Sequence, residues 1–258
     1  MRTLKTERME YKLICLAFFL APFDTVRLPG IYLTISDLVL IMILPIFLSN
    51  LLRKKNQISN ITLRLAVASF LIIFGFILSM FRGSVASILP TISYSIQFLF
   101  VLVYIPLLID KYILKENIYL KMLYYYILGF ATSILIGLII GFFFPVINSI
   151  LVSEGIFISG SRFGAFIGSN GLAKSISVML PLVFLLYHRK IIDKRYLLIS
   201  ILVLLLALLK TSSNGGTIAT IFSISMILLL SKSWKLKREI YAIIGFSVFI
   251  GILLIVNG

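Results

Sequence analysis

Long apolar runs separated by short polar segments dominate this chain. A helix needs about 20 mostly apolar residues to cross the hydrocarbon core of a bilayer. On that measure about nine spans are present: 13–23, 31–52, 63–81, 88–109, 119–144, 172–187, 196–209, 217–230 and 240–256. The first is the weakest, because Asp24 ends its apolar run early. We expect no strand, and the pattern predicts an all-α polytopic transmembrane helix bundle that forms a single domain over residues 1–258.

Composition excludes several classes of protein. The 258 residues are 60% hydrophobic and 13% charged, with a mean hydropathy of +1.13. A soluble domain is roughly 45–50% apolar and about 25% charged, so a soluble enzyme and a disordered chain are excluded. Cys15 alone cannot form an internal disulfide, and His188 alone cannot build a metal site. Because no Walker, dinucleotide-binding, HExxH or CxxC motif occurs, we predict no metal and no cofactor.

The net charge of +15 is explained by membrane topology. Most of the 24 lysines and arginines lie in clusters that precede span one or follow spans two, four, six and eight. Such alternation is the positive-inside pattern of membrane proteins. A nucleic-acid binder would instead gather its basic residues on one polar face, so we expect no nucleic-acid partner. The pattern predicts a cytoplasmic N-terminus and an outer-face C-terminus.

The longest outer-face segment, 145–171, contains a glycine-rich stretch that is typical of anion sites. Arg162 offers a fork of donors to phosphate or carboxylate, and Gly164 permits close approach of the backbone. Ser169 and Asn170 lie where the next helix needs an N-cap, and the free amides of that helix add donors. In the alternative interpretation this is an ordinary loop, with Asn170 as the cap and Arg162 solvated.

A second outer turn, 210–216, precedes span eight. It contains Lys210 and Asn214 among hydroxyl residues and glycines. Backbone amides at the start of a helix bind anions, so this turn is a second candidate. Taken singly, either turn is also explained as a plain connection between helices.

Two further charges are predicted near the outer face. Asp37 lies in the apolar run of span two, where a carboxylate is a functional candidate. Alternatively, Thr34 or Ser36 caps that helix and Asp37 sits favourably in its first turn. Arg82 follows span three; it is a possible partner of Asp37, although a lone outer charge most often marks the end of a loop.

The motif in the first outer segment resembles a family signature. The stretch from Arg162 to Ala173, Arg-Phe-Gly-Ala-Phe-Ile-Gly-Ser-Asn-Gly-Leu-Ala, is similar to the R-x-G-x-F-x-x-x-N-x-L pattern of the bacterial O-antigen polymerase and O-antigen ligase superfamily. The pairs Pro22-Phe23 and Ser36-Asp37 are typical of its first two helices. The turn at Asn214 takes the position of the family's Ser-Arg-Gly turn, with asparagine replacing arginine.

This resemblance implies a multi-pass glycosyltransferase of surface polysaccharide assembly in the bacterial cytoplasmic membrane. Such enzymes polymerise or ligate undecaprenyl-diphosphate-linked glycans at the outer face, inverting the anomeric centre without a metal. The resemblance implies that Arg162 binds the diphosphate leaving group and that other polysaccharide-assembly proteins are candidate partners. Because asparagine replaces the family's arginine in the second turn, Lys210 is a candidate for the second cation. The family carries a large outer loop with an acceptor-activating histidine where this chain ends, so we expect a C-terminal portion to be lacking and no catalytic residue can be assigned. A flippase of the same glycan, or a non-catalytic remnant, is the alternative.

Overall fold

A computed structural model describes residues 2–26, 33–53, 59–81, 95, 98–112, 116–157, 163–230, 237, 238, 241 and 245. These residues are overwhelmingly helical, and none of them forms a strand. The α-helices are α1 (Arg2–Leu20), α2 (Ile35–Arg53), α3 (Asn60–Met80), α4 (Ile105–Tyr112), α5 (Glu116–Phe143), α6 (Pro145–Ser153), α7 (Ser169–His188), α8 (Lys194–Thr211) and α9 (Asn214–Leu230). A π-helical turn, Phe100–Tyr104, leads directly into α4.

Two compact units are distinguished, Met1–Tyr125 and Tyr126–Gly258, and the division falls within α5. In the first unit, α1 packs along α2. The Ser36 hydroxyl donates to the Ala17 carbonyl at 2.9 Å, which ties the end of α1 to the start of α2. The side chains at the centre of this unit are nearly inaccessible: Ile14, Cys15, Ala17, Leu40, Ile43, Phe100, Tyr104, Leu108 and Met122. Cys15 therefore behaves as the small buried apolar residue expected from its position.

The start of α3 is fixed by a carboxylate from α4. Ser59 caps α3, because its hydroxyl accepts from the Thr62 N–H at 3.1 Å. Asp110 accepts from the Ser59 N–H at 3.0 Å. Partial burial alone would raise the pKa of Asp110, but the hydrogen bonds from Thr62 and Ser59 together lower it. A carboxylate placed there also stabilises the positive end of α3.

The second unit is built around α7. This helix contacts both α8 and α9. Its buried positions recur at helical spacing on two sides: Leu172, Ala173, Ile176, Ser177, Met179, Leu180, Val183, Phe184 and Leu186. Asp193 caps α8 by accepting from the Tyr196 N–H. Because α8 returns the chain, α7 and α9 run parallel and begin at the same end of the unit.

Three of the described helices are long and apolar enough to cross a membrane: Asn60–Leu78, Ile118–Phe143 and Ser169–His188. Shorter apolar helices occur at Ile35–Ile46 and Asn214–Ile227. The exposed surface of α3 includes Phe70 and Leu71, at 74% and 67% accessibility, and so much exposed apolar surface indicates a lipid environment. The chain is therefore a helical membrane protein. The number of about nine spans, the single domain and the cytoplasmic N-terminus stay predictions.

Two predicted segments contain helix that the sequence pattern did not predict. Helix α1 begins at Arg2, well before the apolar run at 13–23, because its polar first half also forms regular helix. The outer segment 145–171 is not all loop, since α6 occupies Pro145–Ser153. Residues 88–94, 96 and 97 of the predicted span 88–109, and all of the predicted span 240–256 except 241 and 245, lie outside the described residues.

Candidate anion site at paired helix N-termini

Helices α7 and α9 meet closely at their N-terminal ends. Gly216, the third residue of α9, faces Ala173 on α7. A Cβ placed on Gly216 would overlap the Ala173 Cβ and would lie 3.2 Å from both the carbonyl carbon and the Cα of Ala173. The two backbones touch there because glycine has no side chain. As both helices start at this end, two positive helix dipole ends lie side by side.

The turn before α7 is held against the end of α8. The Phe163 N–H donates to the Lys210 carbonyl at 3.2 Å. This bond joins the two turns that the sequence offered as separate anion candidates. Gly164 is buried, and its carbonyl accepts from the Ile167 and Gly168 N–H groups at 3.2 and 3.0 Å. Gly164 therefore closes the turn, and its carbonyl is engaged there.

This turn packs on the side of α5. A Cβ on Gly137 would lie 2.8 Å from the Ala165 Cβ and 3.1 Å from the Phe163 ring. Gly137 precedes the end of α5 at Phe143 by six residues, or about 9 Å of helix axis. The turn is therefore recessed below the end of α5. The Phe166 ring packs edge-to-face on Phe157, with ring centroids 4.7 Å apart, and both rings are buried.

Lys210 is a cation that the structure places beside the two turns. It is exposed, in the last turn of α8, where a positive charge complements the helix dipole. Its ammonium nitrogen lies 4.7 Å from the centroid of the Phe142 ring on α5. A cation over an aromatic face is attracted by about 0.5–1 kcal/mol at exposed sites. An ammonium so held retains donors that are free to meet an incoming anion.

The caps of the two helices differ from the prediction. Neither Ser169 nor Asn170 caps α7: the cap is Gly168, with φ 87° and no side-chain hydrogen bond. Glycine is needed because side-chain-bearing residues rarely adopt that backbone conformation. Asn170 is exposed in the first turn. Helix geometry leaves the first N–H groups of α7 without a partner inside the helix.

At α9, the turn residue Ser213 serves as the cap. Its hydroxyl accepts from the Gly216 N–H at 3.3 Å, and its carbonyl accepts from the Thr217 N–H at 2.9 Å. Accepting this bond uses a lone pair of the hydroxyl and not its O–H donor. Asn214 is the first residue of α9 and is exposed, so its amide is accessible.

Asp37 belongs to the other unit, where it closes a capping box. Its carboxylate accepts from the Thr34 N–H at 2.9 Å, and the Thr34 hydroxyl accepts from the Asp37 N–H at 3.2 Å. This reciprocal pair satisfies two donors at the start of α2. The structural interpretation of Asp37, with Thr34 as the cap, is therefore observed. Its role toward a substrate stays a prediction.

Arg162 and Arg82, and with them the possible Asp37–Arg82 pair, lie outside the described residues. Sequence reasoning missed Gly137 and Phe142, which hold the turn and Lys210, and did not foresee that Gly216 meets Ala173. For the close contacts between backbones, the only signal in the sequence was a small residue at each contact point. Among the described residues, no three His, Cys, Asp or Glu side chains gather as a metal site.

Comparisons with protein-family models, curated proteins and solved structures gave no match.

Proposed function

We propose that this protein binds the diphosphate of an undecaprenyl-diphosphate-linked glycan at the paired N-termini of α7 and α9, and polymerises or ligates that glycan. The observation that carries the proposal is the contact between Gly216 and Ala173, which sets two helix N-termini side by side. Two such ends, together with the ammonium of Lys210, form a positive site suited to a doubly charged leaving group. The resemblance of the motif 162–173 to the signature of the polymerase and ligase superfamily supports glycosyl transfer as the reaction.

Arg162 takes the principal role in this proposal. It precedes Phe163, whose N–H is bonded to the Lys210 carbonyl, so the sequence carries a second cation next to the turn. In glycosyl transfer the bond from sugar to diphosphate breaks and negative charge grows on the leaving phosphate. Cations and amides that are fixed in advance stabilise that charge without a metal. Gly164 closes the turn, and Asn170 and Asn214, both exposed in the first turns of α7 and α9, donate from their side-chain amides.

Local contacts support the alternating topology behind this proposal. The bond from Phe163 to Lys210 joins two segments assigned to the outer face, and the bond from Ser59 to Asp110 joins two assigned to the cytoplasmic side. The proposal therefore puts the site at the outer face of a bacterial cytoplasmic membrane, where lipid-linked glycans are elongated. Lipid is then a partner throughout, and other polysaccharide-assembly proteins remain candidate partners.

Binding of undecaprenyl diphosphate to the reconstituted protein tests the site. A hydrogen bond to a charged group contributes about 1.5–3 kcal/mol, so Lys210→Ala is expected to weaken binding by roughly 10- to 100-fold. Arg195→Ala is the matched control, because it removes an exposed cation from the opposite end of the same helix. Equal affinities in the two variants would contradict the role of Lys210.

Product analysis separates transfer from transport. With lipid-linked repeat units, the proposal expects a ladder of longer glycans, and Arg162→Ala should abolish it while leaving membrane insertion intact. A flippase would move the lipid between leaflets of a vesicle without making a ladder. Unchanged chain lengths in Arg162→Ala, at normal protein level, would remove the assignment of Arg162.

A further inference from the structure

Helix α6 exposes a group of apolar side chains on one face. None of its nine residues is buried. Val146, Ile147 and Ile150 are 70%, 46% and 54% accessible. An aqueous loop rarely carries so much contiguous apolar surface.

The polar groups of α6 are already satisfied within the helix. The Ser149 hydroxyl donates to the Val146 carbonyl and the Ser153 hydroxyl to the Ile150 carbonyl, both at 2.8 Å. At its end, the Gly155 and Ile156 N–H groups donate to the carbonyls of Val152 and Leu151, with Gly155 at φ 70°. This Schellman arrangement occupies carbonyls that would otherwise require water. The helix is therefore compatible with a medium poor in hydrogen-bond partners.

The length of the charge-free stretch restricts where α6 can lie. No charged residue occurs between Lys121 and Glu154. The part of α5 after Lys121 is about 33 Å long, which already crosses a hydrocarbon core of about 30 Å. Helix α5 then stops at a one-residue break, Phe144, and Pro145 starts α6. A straight continuation would carry nine more residues, most of them apolar, into water.

The apolar surface of α6 continues that of α5. Phe142, Phe143 and Phe144 are exposed at the end of α5 and at the break, at 60%, 74% and 49% accessibility. Because α5 is a candidate membrane span, its exposed side chains face lipid. The chain continues without a charged residue through Val146 and Ile150, while the Lys210 ammonium lies over the Phe142 ring.

We propose that α6 lies in the outer interface of the bilayer, with its apolar side chains among the acyl chains. The segment after α5 is then a membrane-embedded element of the protein. Its polar end, at Ser153 and Glu154, faces the headgroups. This inference depends on membrane insertion and is independent of any glycosyl-transfer activity.

Quenching of tryptophan fluorescence by brominated lipids tests the proposal directly. Trp234 is the only tryptophan, so the Trp234→Phe protein has no tryptophan fluorescence of its own. In phosphatidylcholine vesicles, Val146→Trp and Ile147→Trp should lose emission most strongly when the bromines lie near the headgroup end of the chains. Phe70→Trp on α3 is the control for lipid contact, and His188→Trp, in a basic turn, is the control for water.

Three results would overturn the proposal. Quenching of the Val146→Trp protein by aqueous iodide but not by bromolipid would place α6 in water. Quenching by neither would mean that protein covers it, for example a second copy of the chain. Lack of bromolipid quenching in the Phe70→Trp protein would remove the membrane premise.

A second variant guards against misfolding of the tryptophan proteins. A nitroxide on Val146→Cys, in a Cys15→Ala background, should collide more with oxygen than with a water-soluble nickel complex. The reverse preference would also overturn the proposal.

Discussion

The close contact between α7 and α9 makes a sharp prediction about two neighbouring glycines. Alanine normally favours a helix over glycine by up to about 1 kcal/mol. At Gly215 nothing lies within 4 Å of an added Cβ, so Gly215→Ala should be neutral or stabilising. At Gly216 the same methyl group would meet the Cβ and the backbone of Ala173. Because backbone atoms cannot rotate aside, Gly216→Ala must separate the two helices.

The expected size follows from this comparison. Overpacking a tight contact costs about 1–3 kcal/mol, and any propensity gain is common to both variants. Gly216→Ala should therefore be about 1–3 kcal/mol less stable than Gly215→Ala. For a chain of this size that corresponds to a difference of roughly 2–12 °C in Tm. The sign of the difference is the essential part of the prediction.

Thermal unfolding of the purified variants in one detergent, at one heating rate, measures the difference. A common heating rate is needed because unfolding of a membrane protein is often irreversible, so the midpoint depends on rate. Adding Ala173→Gly to Gly216→Ala removes one of the two overlapping methyl groups. The double variant should then be more stable than the sum of the single effects predicts. Equal midpoints for the two glycine variants, or no coupling with Ala173, would refute the proposed contact.

Four further predictions concern helix starts. Thr34→Ala should destabilise the protein by about 1 kcal/mol, because the hydroxyl caps α2. Asp37→Ala should cost a similar amount and leave lipid-diphosphate binding unchanged, and selective loss of that binding would support a substrate role instead. The hydrogen bonds from Thr62 and Ser59 lower the pKa of Asp110 from its ordinary value of 3.8. These bonds therefore stabilise the folded state above that ordinary value, and the stabilisation should be lost as the pH falls through the lowered pKa. Asp110→Asn should flatten that part of the stability profile, and an unchanged profile would contradict it. Gly168→Ala should lower stability by about 1–3 kcal/mol, because φ there is 87°; an unchanged midpoint would refute that.

The sequence predicted the helical class because hydrophobic length is a local signal, and the runs behind α3, α5 and α7 are long. Prediction from the sequence failed where the structure depends on a contact between residues that are far apart in the chain. Capping preference favours serine at the start of α7, yet Gly168 takes that place because the preceding turn needs a positive φ. From Pro145 the sequence indicates only an outer-face segment, whereas this proline starts α6.

The candidate site was predicted only in part, again because the contacts that form it join distant parts of the sequence. Its turns are visible as glycine-rich stretches, but their proximity depends on the bond from Phe163 to Lys210, which spans 47 positions of sequence. Likewise, no local pattern pairs Gly216 with Ala173. Small residues are common in membrane helices, and their spacing does not reveal which partner they meet.

The π-helical turn Phe100–Tyr104 carries one residue more than a regular helix would need. Before it, Phe98 packs on Phe76 of α3 with ring centroids 5.6 Å apart; after it, Leu108 is buried with the side chains of α1 and α2. Deleting one residue within the turn would restore an unbroken α-helix and rotate the two parts by about 100° relative to each other, so only one set of contacts would survive. The extra residue in the turn thus shifts the helical register, so that one helix packs on two neighbours that lie in different directions. Insertions and deletions should be tolerated far less there than substitutions.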